Sequence, residues 1–401
     1  PVFITHRRIQ IATLPCNFSN LHAHSKYVIS EEELFMEQFI KLLTAIGIIV
    51  GVIDMVLKNR MKLGDKFQQG FTMMGSMMIS MVGILMLAPA TASFLKNAGT
   101  PIFHALHMDP SVLSIFFSCD MGGYALSQSL AEDPAVGLML GMITSGMFGG
   151  ALTFSIPLGF GVLDRNVIKN FSKGALFGLG CIPVGNLVGG MILGIPVLRI
   201  VWNSLPVFIL SAFIIFGLIK APGRMVWLME HLAIVIKFLG LLGIVLGSLE
   251  YLFGLTIVPG MDSMMDSMQL VCQMTITMVG MLPIMELMSR FLKVPLTWFG
   301  NFIGLDTISV SGIIFSLVSC VPVFPMMKEM NTRGQMINSA WAILVAAVFG
   351  SQLGMAMSAC PEVLPALIVG KLAAGIAGII AICFYTREKQ PATARAAVAS
   401  K

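Results

Sequence analysis

Apolar residues run almost unbroken through most of this chain, and polar residues only punctuate them. Stretches long enough to span hydrocarbon, about 20 residues each, centre on 39–57, 71–90, 135–162, 175–193, 200–219, 226–253, 270–288, 335–357 and 363–384, nine in all. Two further apolar stretches are interrupted near their middles: 111–130 by Gly122 and Gly123, and 309–327 by Pro322 and Pro325. The pattern predicts an all-α polytopic integral membrane protein with about nine spans.

The apolar pattern also repeats. GIIVGVID at 47–54 matches GIVLGSLE at 243–250, and SMVGIL at 80–85 matches TMVGML at 277–282. At nearly the same offset Asp109 answers Asp306, Ser118-Cys119 answers Ser319-Cys320, and Phe148-Gly149 answers Phe349-Gly350. The chain therefore divides into repeat one at about 38–194, a linking span at 200–219, and repeat two at about 226–385. The interrupted stretches occupy equivalent places in the two halves.

Charge decides how the halves are oriented. The loop after the first span carries Lys58, Arg60, Lys62 and Lys66, whereas its counterpart at 254–266 has no Lys or Arg and carries Asp262 and Asp266. Cytoplasmic loops concentrate Lys and Arg, so equivalent loops of opposite character lie on opposite sides and the repeats are inverted. If both interrupted stretches are re-entrant helical hairpins, Arg165, Lys169, Lys173, Lys220, Arg224, Arg290, Lys293, Lys328 and Arg333 all face the cytoplasm. The amino terminus is then outside and the carboxyl terminus inside. Inverted repeats with broken helices meeting near the midplane are a common way to build a carrier's solute site.

Composition narrows the function. Of 401 residues, 56% are hydrophobic and 11% charged, against about 25% charged in soluble domains. The net charge of +5 is scattered between apolar runs, which argues against a nucleic-acid partner. The seven Cys form no CxxC pair and the six His no HExxH pair, so neither a metal nor another cofactor is expected, and no nucleophile-base spacing suggests an enzyme. The 32 Met read as adaptable packing.

Two ends stand apart. Residues 1–35 are polar and begin on Pro1, and Met36 directly precedes the first apolar run. They are expected to be a disordered or mis-started extension outside the transporter domain at 36–385. Residues 386–401 read as a cytoplasmic tail.

The most informative stretch is FSCDMGGYALSQSLA at 117–131. An ionised Asp at a bilayer centre costs ~2.5 to 3.5 kcal/mol, so Asp120 requires a purpose. It meets a cationic solute, caps the second half of its hairpin, or pairs with intramembrane Lys371. Asp120 aligns with Val321 in the second repeat, so the charge is not shared between the hairpins.

Six runs carry a family resemblance: CDMGG with YALSQSLA, FSIPLGFGVL at 154–163, CIPVGNLVGG at 181–190, VPVFPMMKEMNTRGQMIN at 321–338, FGSQLGMA at 349–356 and VGKLAAG at 369–375. They resemble the ethanolamine-utilisation membrane transporter family (EutH) from Met36 to about Tyr385. The resemblance implies a bacterial inner-membrane permease that imports ethanolamine for a cobalamin-dependent ammonia-lyase pathway. Its partners would be ethanolamine and the lipid bilayer, with a homo-oligomer left open. The alternative is a carrier of another small polar or cationic solute on the same architecture.

Protonated ethanolamine is an ammonium two carbons from a hydroxyl. Asp120 suits the ammonium, and Tyr124, one turn on, offers a ring face or a phenolic oxygen. Ser118, Ser127, Ser319, Asn338 and Gln352 are neutral hydrogen-bonding candidates, and Gly122 and Gly123 allow close backbone approach. Lys371, Asp54 and Glu250 are supporting charges, the last two being repeat-related and suggesting a shared structural job of tying a span to its hairpin. Glu286 is expected to pair with Arg290 at i+4. Glu230 and Lys237 read as a buried ion network or as snorkelling side chains.

Overall fold

The computed structural model describes residues 31–117 and 123–388. Their regular elements are all helical, in the order α1 (Glu31–Val56), α2 (Leu63–Ala105), a 3-10 helix (Pro110–Phe117), α3 (Gly123–Leu130), α4 (Pro134–Leu138), two π-helical pieces (Met139–Gly149 and Ala151–Ser155), α5 (Ile156–Val162), α6 (Arg165–Ile192), α7 (Val197–Lys220), α8 (Pro222–Phe253), α9 (Met264–Ile303), α10 (Thr307–Ser316), α11 (Val323–Met326), α12 (Thr332–Leu344), α13 (Ser351–Ala359) and α14 (Leu364–Glu388). Among the described residues, eight helices are long and apolar enough to cross a membrane. This is the architecture of a polytopic membrane protein.

Eight of the nine predicted spans match these helices. The ninth, 335–357, is not one helix. It divides into α12 and α13 around Val345–Gly350, where Ala347 is left-handed at φ 61°. Apolar composition fills that stretch, but composition does not show that a neighbouring segment supplies the backbone hydrogen bonds. The residues before Met36 also differ from expectation, since α1 begins at Glu31. The earlier part of the extension and the tail beyond 388 lie outside the described residues.

Burial sorts the helices. The first part of the stretch from Pro134 to Val162 is enclosed by its neighbours, with every residue from Met139 to Gly149 buried, whereas Phe154 and Val162 are exposed. By contrast α7 and α8 turn Ile209, Phe213, Phe216, Ile234, Val235 and Phe238 outward, as lipid-facing helices must. Glu230, His231 and Lys237 also lie on the exposed surface of α8, so of the two readings the buried ion network falls and snorkelling side chains remain.

Glycines set how closely the long helices cross. A Cβ on Gly47 of α1 would run into the Gly280 carbonyl of α9, and one on Gly243 of α8 would run into the Gly83 carbonyl of α2. Small residues let transmembrane helices pack backbone against backbone. A tyrosine or leucine at any of these crossings would force the pair apart.

Candidate functional site

Two repeat-related aspartates close the interrupted segments. Asp109 accepts at Oδ1 from the Ser111 amide (2.9 Å), and at Oδ2 from the Glu132 (3.2 Å) and Asp133 (2.9 Å) amides. Asp306 accepts at Oδ1 from the Ser309 amide (2.8 Å), and at Oδ2 from the Ser309 hydroxyl (2.9 Å) and the Asn331 amide (2.7 Å). Each carboxylate therefore joins the start of its segment to the end. Asp133 and Asn331 then cap the following helices α4 and α12 with their own side chains. Burial pushes the Asp306 carboxyl up, but the bonds from Asn331 and Ser309 outweigh it and hold the group below its usual value.

The two segments are anchored to different surroundings. Near Asp109, Asn203 of α7 accepts the Asp109 amide at 2.7 Å, Trp202 donates to the Leu106 carbonyl, and Arg199 pairs with Asp133 at 2.6 Å. Near Asp306, Arg333 donates to the Ile303 carbonyl and to the Thr386 hydroxyl. Lys328 pairs with Asp164 at 3.1 Å.

Between the segments the backbone departs from α-helix twice, at repeat-related positions. Repeat one is π-helical through Phe148 and Gly149, and repeat two is broken through Phe349 and Gly350. Insertions of this kind recur at functional sites. The break is laid against the tip of the second segment: the Ala347 amide donates to the Ser316 carbonyl (3.0 Å) and the Phe349 amide to the Leu317 carbonyl (2.9 Å). A Cβ on Gly350 would collide with the Val318 carbonyl, so glycine is required there for the two backbones to meet.

Lys371 of α14 lies at the junction with no solvent exposure. Its ammonium donates to the Gly146 carbonyl (3.0 Å), to the Ala346 carbonyl (3.3 Å) and to Gln352 Oε1. Gln352 Nε2 donates to the same Gly146 carbonyl at 3.0 Å. One buried cation thus touches the π-helical piece, the helix break and the first turn of α13.

The family model described as "Ethanolamine utilisation protein, EutH" matches residues 36–384. The chain belongs to the EutH family. Among curated relatives, this EutH-family chain is 32% identical over 345 residues to the probable ethanolamine permease EutH of Listeria monocytogenes, covering 86% of this chain and 92% of that protein. It is 34% identical over 337 residues to the uncharacterized protein YxeR of Bacillus subtilis, covering 84% and 91%. The probable ethanolamine permease EutH of Escherichia coli is 30% identical over 356 residues, covering 82% and 87%. No solved structure matches.

The EutH-family resemblance had pointed to particular residues, which the structure distributes over several places. Asp120, Ser118 and Gly122 lie outside the described residues. Gly123 opens α3, and Tyr124 is buried with its hydroxyl donating to the Ala359 carbonyl at 3.4 Å. Ser127 is buried and donates to the Gly137 carbonyl at 2.9 Å, so its hydroxyl locks α3 onto α4. Asn338 is buried and donates to the Ser309 and Gly334 carbonyls, both at 3.0 Å, while its Oδ1 has no partner among the described residues. Ser319 lies apart from the Lys371 junction, lining a cavity of about 70 Å³ with Lys66, Gln69, Glu286, Ser289 and Pro322.

The supporting acids diverge. Asp54 is buried and accepts from the Met61, Leu63 and Gly64 amides at 2.9, 2.7 and 3.1 Å, so it caps the start of α2 rather than tying α1 to a hairpin. Glu250 accepts from the Thr256 hydroxyl at 3.4 Å. The shared job expected from their repeat relation is therefore corrected: one holds a helix end, the other a loop hydroxyl. Glu286 pairs with Arg290 at 3.1 Å, and Arg290 also donates to the Met61 carbonyl.

Residue-by-residue reading had passed over Asp109 and Asp306 as site-shaping groups. The available signal was their repeat relation together with a serine two or three residues on in each case.

Proposed function

We propose that this chain is a permease that imports ethanolamine across the bacterial inner membrane, and is not an enzyme. The observation that carries this reading is the EutH match over residues 36–384, with relatives named as probable ethanolamine permeases. The solute path runs between two re-entrant hairpins, 110–131 and 307–330, belonging to inverted repeats. Asp109 and Asp306 support that topology, because a segment whose two ends share one carboxylate leaves on the side it came from. The groups around them support opposite sides: Arg199 and Trp202 accompany the first hairpin, and Lys328 and Arg333 the second.

In this reading Asp120 receives the substrate ammonium, and Tyr124 with Gln352 borders the site. A carboxylate exchanged for water's role around an ammonium at membrane depth provides both the charge and the acceptors a primary amine needs. The Ser319 cavity, with Glu286 and Lys66 at its wall, is the cytoplasmic vestibule below the second hairpin.

The test is uptake of labelled ethanolamine into liposomes containing the purified chain, with and without imposed pH and sodium gradients. Competition by choline, other amino alcohols and nucleosides accompanies it. Saturable ethanolamine uptake that Asp120→Asn abolishes is the expected result. Absence of uptake under every gradient overturns the permease reading, and preference for another competitor reassigns the substrate.

A further inference from the structure

On one face of α6 the basic and the apolar side chains are sorted along a single line. Arg165, Lys169 and Lys173 follow one another at i, i+4 and i+8, and Leu176, Phe177, Gly180 and Cys181 continue the stripe toward the middle of the helix. Residues at these spacings lie one above another. Arg165, Lys169 and Gly180 are exposed, and Lys173, Leu176, Phe177 and Cys181 are half-buried. At the α-helical rise, Lys173 to Cys181 covers ~12 Å of membrane depth.

The apolar part of the stripe is hollowed. Lys173, Leu176, Phe177, Gly180 and Cys181, with Tyr385 of α14, line a groove of about 350 Å³, within the usual range for small-molecule pockets, about 300–1,000 Å³. The Phe177 and Tyr385 rings pack against each other there, with centroids 5.2 Å apart and planes tilted by 57°. Gly180 keeps the groove open, since a Cβ on it would meet nothing within 4 Å. Farther along, α6 and α14 close on each other, where a Cβ on Gly370 would lie 2.9 Å from the Gly185 carbonyl. The groove therefore belongs to the end of the pair at which α6 begins and α14 finishes.

Charge decides what such a groove takes. Among the described residues no carboxylate forms an ion pair with Arg165, Lys169 or Lys173, and Asp164, the acid beside them in sequence, is paired with Lys328 at 3.1 Å. Basic pockets between transmembrane helices suit anionic lipid headgroups, and tyrosine is enriched at the headgroup level. We infer that the groove between α6 and α14 is a binding site for an anionic phospholipid. Its phosphate is held by Lys169 and Lys173, and one acyl chain lies past Phe177 and Gly180. A zwitterionic lipid offers the same chain but brings a cation of its own toward three basic side chains.

The experiment is native mass spectrometry of the purified full chain in an uncharged detergent. The chain is titrated with phosphatidylglycerol or with phosphatidylcholine of the same acyl chains. The unaltered chain is expected to bind phosphatidylglycerol saturably and in preference to phosphatidylcholine. A basic residue near an anionic headgroup contributes about fivefold in affinity, so Lys169→Gln combined with Lys173→Gln is expected to weaken phosphatidylglycerol binding by more than about tenfold. Gly180→Leu fills the groove and leaves the charges in place, and it is expected to abolish the preference. Leucine has room at that position and is the better helix former. Gly75→Leu, also in open space, is expected to bind as the unaltered chain does.

Equal binding of the two lipids by the unaltered chain overturns the inference, and that arm stands whether or not a variant folds. Undiminished phosphatidylglycerol binding by Gly180→Leu also overturns it. Displacement of the lipid by glycerol 3-phosphate at equal concentration reduces the site to a phosphate contact and overturns the acyl-chain half. A dimer that Gly180→Leu dissociates assigns the groove to a second copy of the chain instead. The readout is independent of the transported solute, so failure of the permease reading leaves the lipid site to be decided on its own.

Discussion

Gly47 and Gly280 meet backbone to backbone where α1 crosses α9, with no room for a Cβ on either. Their repeat counterparts are Gly243 and Gly83, which meet in the same way where α8 crosses α2. The first helix of each repeat thus packs on the second helix of the other. Exchanged contacts of this form are what a pseudo-two-fold axis between the two halves would produce, whichever way that axis points.

Gly47→Leu and Gly243→Leu are expected to be comparably damaging, because each drives a side chain into a carbonyl of the facing helix. Overpacking of this kind costs about 1–3 kcal/mol or more. Gly75 of α2 faces open space, and Gly75→Leu is expected to leave the unfolding temperature within a degree or two by the same measure of surface tolerance, ~0.5 kcal/mol. Thermal unfolding in detergent compares the three. Leu is a better helix former than Gly, so equal loss at Gly75 would show that an added side chain anywhere on these helices, not the crossing, sets the effect.

Removal of the hairpin carboxylates leaves amides without acceptors. Asp306→Ala frees the buried Ser309 N–H, at about 1–3 kcal/mol, and the Asn331 N–H, which is exposed and costs less, and is expected to lower both stability and uptake. Because hydrogen bonding depresses the Asp306 carboxyl despite its burial, its contribution is present above the ordinary carboxylate range, near pH 4. It is lost as pH falls through the lowered folded value. Unfolding midpoints measured from pH 7 down to 3 should fall less steeply for Asp306→Asn than for the unaltered chain.

Asp262 behaves in the opposite sense. Burial and the neighbouring Asp266 push its carboxyl up to about 6, and its Oδ2 is buried without a partner among the described residues. A raised carboxylate adds stability below its unfolded value and loses it as pH rises to the folded value, here between about 4 and about 6. Asp262→Asn is therefore expected to raise the unfolding temperature at pH 7.5 relative to the unaltered chain and to bring no such gain at pH 4. A gain of equal size at both pH values would assign the effect to shape rather than charge.

Cysteine accessibility reads the topology. In cells whose native cysteines have been replaced, Cys at Lys62 is expected to resist an impermeant thiol reagent and Cys at Ser263 to react with it. Reaction of both from the same side would remove the inverted arrangement.

Much of the fold was legible because membrane hydrocarbon imposes a simple rule on composition. A helix that crosses it needs about 20 apolar residues, and eight stretches that satisfied the rule are continuous helical spans, one of them carrying two π-helical pieces. The segment 335–357 satisfied it equally well and is broken, because Ala347 and Phe349 donate to Ser316 and Leu317 of another segment. Hydropathy measures what a side chain prefers and is blind to where a backbone amide finds its acceptor.

The same limit applies to the site. Sequence alone determined a polytopic helical protein and, through six matching runs, the family. It also marked Lys371 and Gln352 as residues of interest, since a lysine and a glutamine in apolar runs are costly. Only the tertiary structure decided that these two meet at the Gly146 and Ala346 carbonyls, that Asp54 caps a helix, and that Asp109 and Asp306 close their segments. Periodicity and composition are local properties of the chain, whereas a buried ammonium or carboxylate is satisfied by oxygens and amides brought from many residues away, and that pairing exists only once the chain has packed.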